Sequence, residues 1–203
     1  MKIGYKYDEK TDIYLYKVDD DEKKRNDDNN DAEFNYNYSV IKFNDILNKN
    51  IEEYSDKEYT LIMAVSLTWP PLNINAEQFN NLYLNYSAKI NFLSIYTAEA
   101  HADDEWPIRT KKDLRIPQHK TIKERVSVSM KFKEMTKWLI PLYIDHIKNK
   151  FQSHFDTWPL RVWIMDKTKT IKWILQPGID DYATVDFNEI PKILDELIGN
   201  NDK

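Results

Sequence analysis

Four short segments contain the side chains that could do chemistry in this 203-residue sequence. The first, residues 66–71 (SLTWPP), places small hydroxyl residues and a Trp directly before a Pro pair. A strand that ends this way ahead of a helix is typical of a loop that holds a nucleophile at the helix amino terminus, where backbone N–H groups and the helix dipole favour an anion. Taken alone, this segment is more simply interpreted as a strand-end turn with a packed Trp.

The second segment, residues 96–106 (YTAEAHADDEW), carries a carboxylate and an imidazole two positions apart. In an extended backbone Glu99 and His101 would lie on the same side, as an acid–base pair in which the carboxylate raises the histidine pKa. An ordinary acidic loop is the alternative interpretation. A single His among carboxylates lacks the spacing of a metal site, so no metal is predicted.

The third and fourth segments lie closer to the carboxyl terminus. Residues 115–119 (RIPQH) end on His119 just ahead of a predicted helix, where a His can serve chemistry or simply cap the helix. In residues 158–161 (WPLR), Pro159 is well placed to be the cis-proline that faces the active-site loop in thioredoxin-like folds. Arg161 opens a buried strand, where it could bind an anionic or phenolic group or pair with a carboxylate.

The composition excludes several classes of function. Cysteine is absent, which excludes disulfides, thiolate metal sites and cysteine nucleophiles. Three glycines are too few for a glycine-rich phosphate loop. Acidic residues (34) outnumber basic ones (29), a balance that argues against nucleic acid as a partner. Neither a signal peptide nor a membrane-spanning run is recognisable, so we expect a soluble, cytoplasmic protein that does not bind membranes.

The hydrophobic pattern divides the chain into two parts. Residues 12–18 and 34–40 alternate like strands, whereas residues 19–31 contain no apolar side chain and are predicted to form a mobile acidic loop. We therefore interpret residues 1–58 as an amino-terminal, hairpin-like extension and residues 59–203 as the main domain.

In the main domain, strands and helices alternate. Strands are predicted at 60–67, 90–97, 142–145, 161–165 and 170–175, and helices at 76–87, 120–139, 147–155 and 187–198. This order predicts an α/β fold with a central sheet and helices on both faces. Because chemistry in such sheets lies at the carboxyl ends of strands, the loops beginning at Ser66 and Glu99 should be neighbours.

In this order the four segments resemble one family, the iodothyronine deiodinases and their bacterial redoxin-like relatives. SLTWPP is similar to the family's nucleophile loop, in which selenocysteine or Cys precedes Pro-Pro. YTAEAHADDEW is similar to its Tyr–Glu–Ala–His–Asp–Trp signature, and IPQH and WPLR match downstream. The resemblance covers about residues 60–198 and implies a thioredoxin-like fold with a mixed sheet.

The resemblance also implies a reaction and a role for each residue. Family members remove iodine reductively from thyroid hormone rings: a selenolate attacks the iodine, a His/Glu network delivers the replacing proton, and thiols regenerate the enzyme. Here Trp69 holds the nucleophile position. Ser66 and Thr68 would line its loop, and Pro159 would face it beside the substrate. Glu99, His101 and His119 would form the proton network, and Arg161 would anchor the substrate.

Three hypotheses of function are compatible with Trp at position 69. An indole only donates a hydrogen bond and cannot attack iodine or peroxide. The first hypothesis is therefore a non-catalytic protein that binds a small aromatic or iodinated phenolic ligand and needs no cofactor. The second is a selenoenzyme, a reductive dehalogenase or peroxide reductase using a thiol reductant, because the selenocysteine codon UGA is one base from the tryptophan codon UGG. The third is a structural partner that forms a homodimer.

Overall fold

A seven-stranded mixed sheet with helices on both faces forms the framework of the chain. The computed structural model describes residues 1–25, 34–48, 54, 56–107, 115–157, 162–175 and 186–199. The strands are β1 Tyr14–Arg25, β2 Phe34–Lys42, β3 Tyr59–Val65, β4 Asn91–Tyr96, β5 Leu142–Asp145, β6 Val162–Asp166 and β7 Ile171–Leu175. The helices are α1 Phe43–Leu47, α2 Pro70–Ile74, α3 Ala76–Tyr86, α4 Ile122–Thr136, α5 Lys150–Phe155 and α6 Glu189–Gly199.

The strands lie in the order β2-β1-β5-β4-β3-β6-β7. The central strands β3, β4 and β5 are parallel to one another, whereas β6 pairs antiparallel with β3, and β1 antiparallel with β5. Parallel neighbours require crossover connections, and helices supply them here. The predicted α/β architecture is confirmed.

Strand β3 shows why the sheet is covered on both sides. All seven of its residues are buried. Leu61, Met63 and Val65 join the apolar cluster that includes residues of α3, α4 and α6, while Ile62 and Ala64 join the cluster that includes residues of α1 and α5. A strand that is buried on both faces has the continuous apolar sequence seen at residues 60–67.

The amino-terminal hairpin is continuous with this sheet, because β1 pairs with β5 through Leu15 and Tyr16. The predicted acidic loop at 19–31 begins later than expected, since β1 continues to Arg25 and its last residues pair with the start of β2. Backbone hydrogen bonds across a hairpin need no apolar side chains, so the sequence pattern does not show them. Residues 26–33 lie outside the described part of the chain.

The four predicted helices lie close to their predicted positions, and two short helices that the pattern does not predict, α1 and α2, are added. The Pro pair at 70–71 starts the short helix α2 ahead of α3, consistent with the preference of Pro for the first helical turn. Helix α4 begins with a capping box, in which Thr121 and Glu124 each satisfy the other's backbone N–H. None of the described helices combines the length and apolar character required to cross a bilayer.

Candidate active site

Two loops meet at the carboxyl edge of the parallel strands. Val65 and Tyr96, the last residues of β3 and β4, lie opposite each other in the sheet register. The loops that follow are joined by Thr68, whose backbone N–H donates to Glu99 Oε2 at 2.8 Å. The prediction that these two loops are neighbours is confirmed.

Glu99 is the centre of the site, with a side chain that is fully buried. Its Oε2 accepts from the backbone N–H and, at 2.6 Å, from the hydroxyl of Thr68. Its Oε1 accepts from the Tyr96 hydroxyl, which itself accepts from the backbone N–H of Leu67. Gln118 holds the backbone of Glu99 on the other side, through amide contacts of 3.0 and 3.1 Å. The carboxylate is therefore held in one orientation by donors from the loop after β3 and from the end of β4.

Burial and hydrogen bonding act in opposite directions on this carboxyl group. Burial raises the pKa of Glu99 above its usual value, while the hydrogen bonds from Thr68 and Tyr96 lower it again by stabilising the ionised form. The pKa of Tyr96 lies well above its usual value because the phenol is buried beside the carboxylate. A carboxyl group balanced in this way can accept or release a proton closer to neutral pH than an exposed one.

His119 is the imidazole that faces Glu99. Its side chain is 1% exposed, and its Nε2 lies 3.4 Å from Glu99 Oε1 without a hydrogen-bond partner. Its Nδ1 accepts from Nε of Arg125 at 3.4 Å. Burial, and then the charge of Arg125, lower the pKa of His119 to about 4. The ring is therefore neutral at physiological pH, rather than the cation expected of a solvated acid–base pair.

The expected side-by-side pair of Glu99 and His101 does not form. The chain turns after β4 instead of remaining extended, so the Glu99 side chain points inward to His119. The His101 ring instead lies 5.2 Å from Trp106, with Nδ1 3.1 Å from the Trp106 carbonyl oxygen. The backbone N–H of His101 donates to the Thr68 hydroxyl. His101 therefore stands at the outer end of the same network.

Trp69 is a packed residue, 4% exposed, at the residue before α2. Its indole belongs to the apolar cluster of α3 and α6 and lies edge-on to Phe187, with ring centroids 6.3 Å apart. The interpretation of residues 66–71 as a strand-end turn with a packed Trp agrees with this position. Trp69 lies one residue from Thr68, and so beside the Glu99 network.

The remaining predicted residues are placed only in part. Ser66 is buried and its hydroxyl accepts from the backbone N–H of Ala100 at 3.4 Å, so Ser66 and Thr68 both bridge the two loops. Their part in ligand binding stays a prediction. Pro159 and Arg161 lie outside the described residues. In the part of the chain that is described, no three His, Asp or Glu side chains converge closely enough to hold a metal ion.

Three further residues belong to the site. Tyr96, Gln118 and Arg125 contact Glu99 or His119 directly. Tyr96 and Gln118 lie within the segments described above, but a phenol at a strand end and an amide in a loop predict no particular partner. Arg125 lies on the buried side of α4, but in the sequence it is one of several charged residues of this helix and no pattern distinguishes it.

We expect replacement of Thr68 by Val to lower the free energy of unfolding by about 2 kcal/mol. The variant removes a hydroxyl donor from a buried carboxylate and leaves the His101 N–H without its acceptor. Urea unfolding measures the effect. Thr68→Ser, which keeps the hydroxyl, is the matched control and should lose less than half as much. Equal losses in the two variants would contradict a role for this hydroxyl.

The fold and the site together define a class of protein. The chain resembles the peroxiredoxin-like protein from Aquifex aeolicus (TM-score 0.53, 10% identity, 98% of this chain and 88% of that one). It also resembles AhpC of Mycobacterium bovis (TM-score 0.50, 9% identity, 100% of this chain and 94% of that one). At these identities the likeness concerns the fold alone, and it makes this a protein of thioredoxin-like fold.

The family follows from the sequence match. The iodothyronine deiodinase family model matches residues 13–197, and the chain belongs to this family. It is 30% identical over 123 residues to the type I iodothyronine deiodinase of Xenopus laevis, covering 60% of this chain and 48% of that protein. It is 28% identical over 147 residues to the thyroxine 5-deiodinase of Ovis aries, covering 72% of this chain and 49% of that protein. The matches thus span about half the length of these relatives.

Proposed function

We propose that this chain, with Trp at position 69, is a non-catalytic member of the deiodinase family that binds a small phenolic ligand at the carboxyl edge of its sheet. The observation that carries the proposal is the position of the Trp69 indole, packed against Phe187 in the apolar core. The sequence contains no cysteine that could replace a nucleophile there. A side chain without a reactive lone pair supports binding without turnover.

His101 and Trp106 support a phenolic ligand. Trp106 is 62% exposed and offers a ring on which another aromatic ring can stack. A carbonyl oxygen only accepts, so the contact with the Trp106 carbonyl oxygen puts the proton of neutral His101 on Nδ1. Its Nε2 is then an acceptor, which suits the hydroxyl group of a phenol. The neighbouring Glu99 network keeps this loop in place.

A second candidate function, that of a selenoenzyme, is favoured by a different observation. Glu99 and His119 are buried in a polar network whose desolvation is costly, and His119 Nε2 has no hydrogen-bond partner. Such a network is suited to proton transfer. With selenocysteine at position 69, a selenolate would form a bond to the iodine of an iodophenol as the carbon–iodine bond breaks. The ring carbon would take the replacing proton through Glu99. Two equivalents of a thiol would then release iodide and become a disulfide.

The identity of residue 69 in the native protein separates the two candidates. Mass spectrometry of the peptide that contains it, read beside the codon in the transcript, distinguishes tryptophan from selenocysteine. Tryptophan read from UGG supports the binding protein. Selenium at this position contradicts it and supports the selenoenzyme.

A binding experiment on the Trp69 protein tests the first candidate directly. We expect 2-iodophenol to perturb the NMR signals of His101 and Trp106, and His101→Ala to weaken the interaction about tenfold, as expected for loss of one hydrogen bond. His154→Ala, far along the chain at α5, is the control and should leave the affinity unchanged. Absence of binding contradicts the proposal.

A turnover experiment examines whether the rest of the site is intact. Trp69→Cys, supplied with a thiol, is compared with Trp69→Ser, which has nearly the same size but no thiolate. Iodide release by the Cys variant alone would support the second candidate. Its absence from both variants would favour a site that only binds.

A further inference from the structure

The buried guanidinium of Arg125 connects the end of strand β5 to His119. Arg125 is 1% exposed on helix α4. Its Nη1 donates to the backbone carbonyl oxygens of Asp145, the last residue of β5, at 3.2 Å and of His146 at 2.9 Å. Its Nε donates to His119 Nδ1 at 3.4 Å. Two carbonyl contacts therefore fix the guanidinium, and the fixed guanidinium meets one nitrogen of the imidazole.

The contact determines which ring nitrogen of His119 carries a proton. A guanidinium has five N–H donors and no acceptor, and it stays charged in proteins. The nitrogen that faces it, Nδ1, must therefore be unprotonated. In a neutral imidazole the single proton is then on Nε2, the nitrogen 3.4 Å from Glu99 Oε1.

We propose that Arg125 is a positioning residue that holds His119 as the neutral Nε2–H tautomer, with the protonated nitrogen on the side of the ring nearest the Glu99 carboxylate. The inference deepens the proposed function and its biological meaning rests on it, because both concern the site at the end of β3 and β4. In a binding protein this tautomer places an N–H, and not a second acceptor, beside Glu99. In a selenoenzyme it makes His119 a candidate hydrogen-bond donor to Glu99, without transfer of the proton.

The charges around His119 agree with this assignment. Arg125 faces Nδ1 from α4, Glu99 faces Nε2 from the loop after β4, and the Tyr96 ring lies 6.0 Å away. Glu124, the neighbour of Arg125 on α4, acts in the opposite sense and raises the pKa of His119. Burial and Arg125 outweigh it and lower the pKa to about 4, which keeps the ring uncharged.

Nitrogen-15 NMR of the imidazole rings in the intact chain tests the tautomer without ligand or turnover. The signals of His119 are identified by their loss in His119→Gln. We expect the pattern of a neutral Nε2–H ring that persists from pH 7 to near pH 5. A Nδ1–H ring, or a ring that is protonated at neutral pH, would overturn the proposal. The result is independent of ligand binding, so the proposal and the proposed function can fail separately.

The role of Arg125 is tested by Arg125→Met, which fills a similar volume without charge or donor. We expect Nδ1–H signal to appear and the pKa of His119 to rise from about 4 part of the way to its ordinary 6.5. Arg115→Gln, at an Arg whose side chain is 60% exposed, is the matched control and should change neither. An unchanged His119 tautomer in a folded Arg125→Met protein would overturn the proposal. If that variant does not fold, the wild-type spectrum still decides the tautomer.

Discussion

Replacing Trp69 with Ala is expected to lower the free energy of unfolding by about 3–5 kcal/mol, the usual cost of removing a buried Trp. The indole is 4% exposed and contacts the cluster that joins α3 to α6. Its removal leaves a cavity beside Phe187, because two helices and a sheet cannot collapse fully around a missing ring system. Urea unfolding followed by circular dichroism measures the loss without depending on Trp fluorescence.

Trp106→Ala is the matched control for this experiment. It removes the same side chain from a position that is 62% exposed, so its expected cost is about 0.5 kcal/mol. A loss of stability at Trp69 no greater than at Trp106 would contradict the packed position of the Trp69 indole.

The same position separates the two candidate functions through stability. If the core is built around an indole, Trp69→Cys removes most of the buried ring and should cost nearly as much as Trp69→Ala. If the site is shaped for selenocysteine, an indole overpacks it, and Trp69→Cys should be neutral or stabilising because overpacking typically costs about 1–3 kcal/mol. The sign of the change in unfolding free energy caused by Trp69→Cys therefore distinguishes the two candidate functions.

The parts of the fold that the sequence predicts are those with strong periodicity. The continuous apolar run at 60–67 predicts a strand covered on both faces, and the amphipathic spacing at 76–87 predicts α3; both are confirmed. Because β3 and β4 are parallel neighbours, the meeting of the loops at Ser66 and Glu99 also follows from the pattern. Topology rules translate order along the chain into proximity at one sheet edge.

The partner of Glu99 could not be predicted in the same way. Glu99 and His101, two positions apart, would lie on the same side only if the backbone were extended. Here the backbone turns after Tyr96. The observed partner, His119, is twenty residues away, and the direction in which a loop side chain points is set by tertiary contacts such as those of Gln118. Local patterns carry no information on such contacts.

Lowering the pH from 6.5 to 4 is expected to reduce the stability of the chain, with His119 contributing about 3 kcal/mol of the loss. Burial and Arg125 depress the pKa of His119 to about 4 in the folded state, from 6.5 when exposed. Well above pH 6.5 the ring is neutral in both states. As the pH falls, the unfolded chain gains a proton that the folded chain does not bind, so stability is lost until the folded pKa is reached.

Other titratable residues also change the stability of the chain as the pH falls. The pKa values of His146 and His154 are also lowered by burial, so these residues contribute losses of the same sign. Glu99 acts in the opposite sense, because its folded-state pKa is raised and its protonation favours the folded chain as the pH falls. The total pH dependence therefore does not isolate His119, and a comparison of variants is required.

His119→Asn provides that comparison, since an amide can still accept from Arg125 but does not titrate. Urea unfolding between pH 7 and pH 4 should show a smaller loss of stability in this variant than in the wild type, by about 3 kcal/mol. His146→Asn is the control: its ring is partly exposed, and its loss of stability should stay close to that of the wild type. If the curves of the wild type and His119→Asn run parallel, His119 is not held neutral by its surroundings. The placement of the proton on Nε2, beside Glu99, would then lose its physical basis, because a ring that accepts a second proton cannot keep an unprotonated Nδ1 against Arg125.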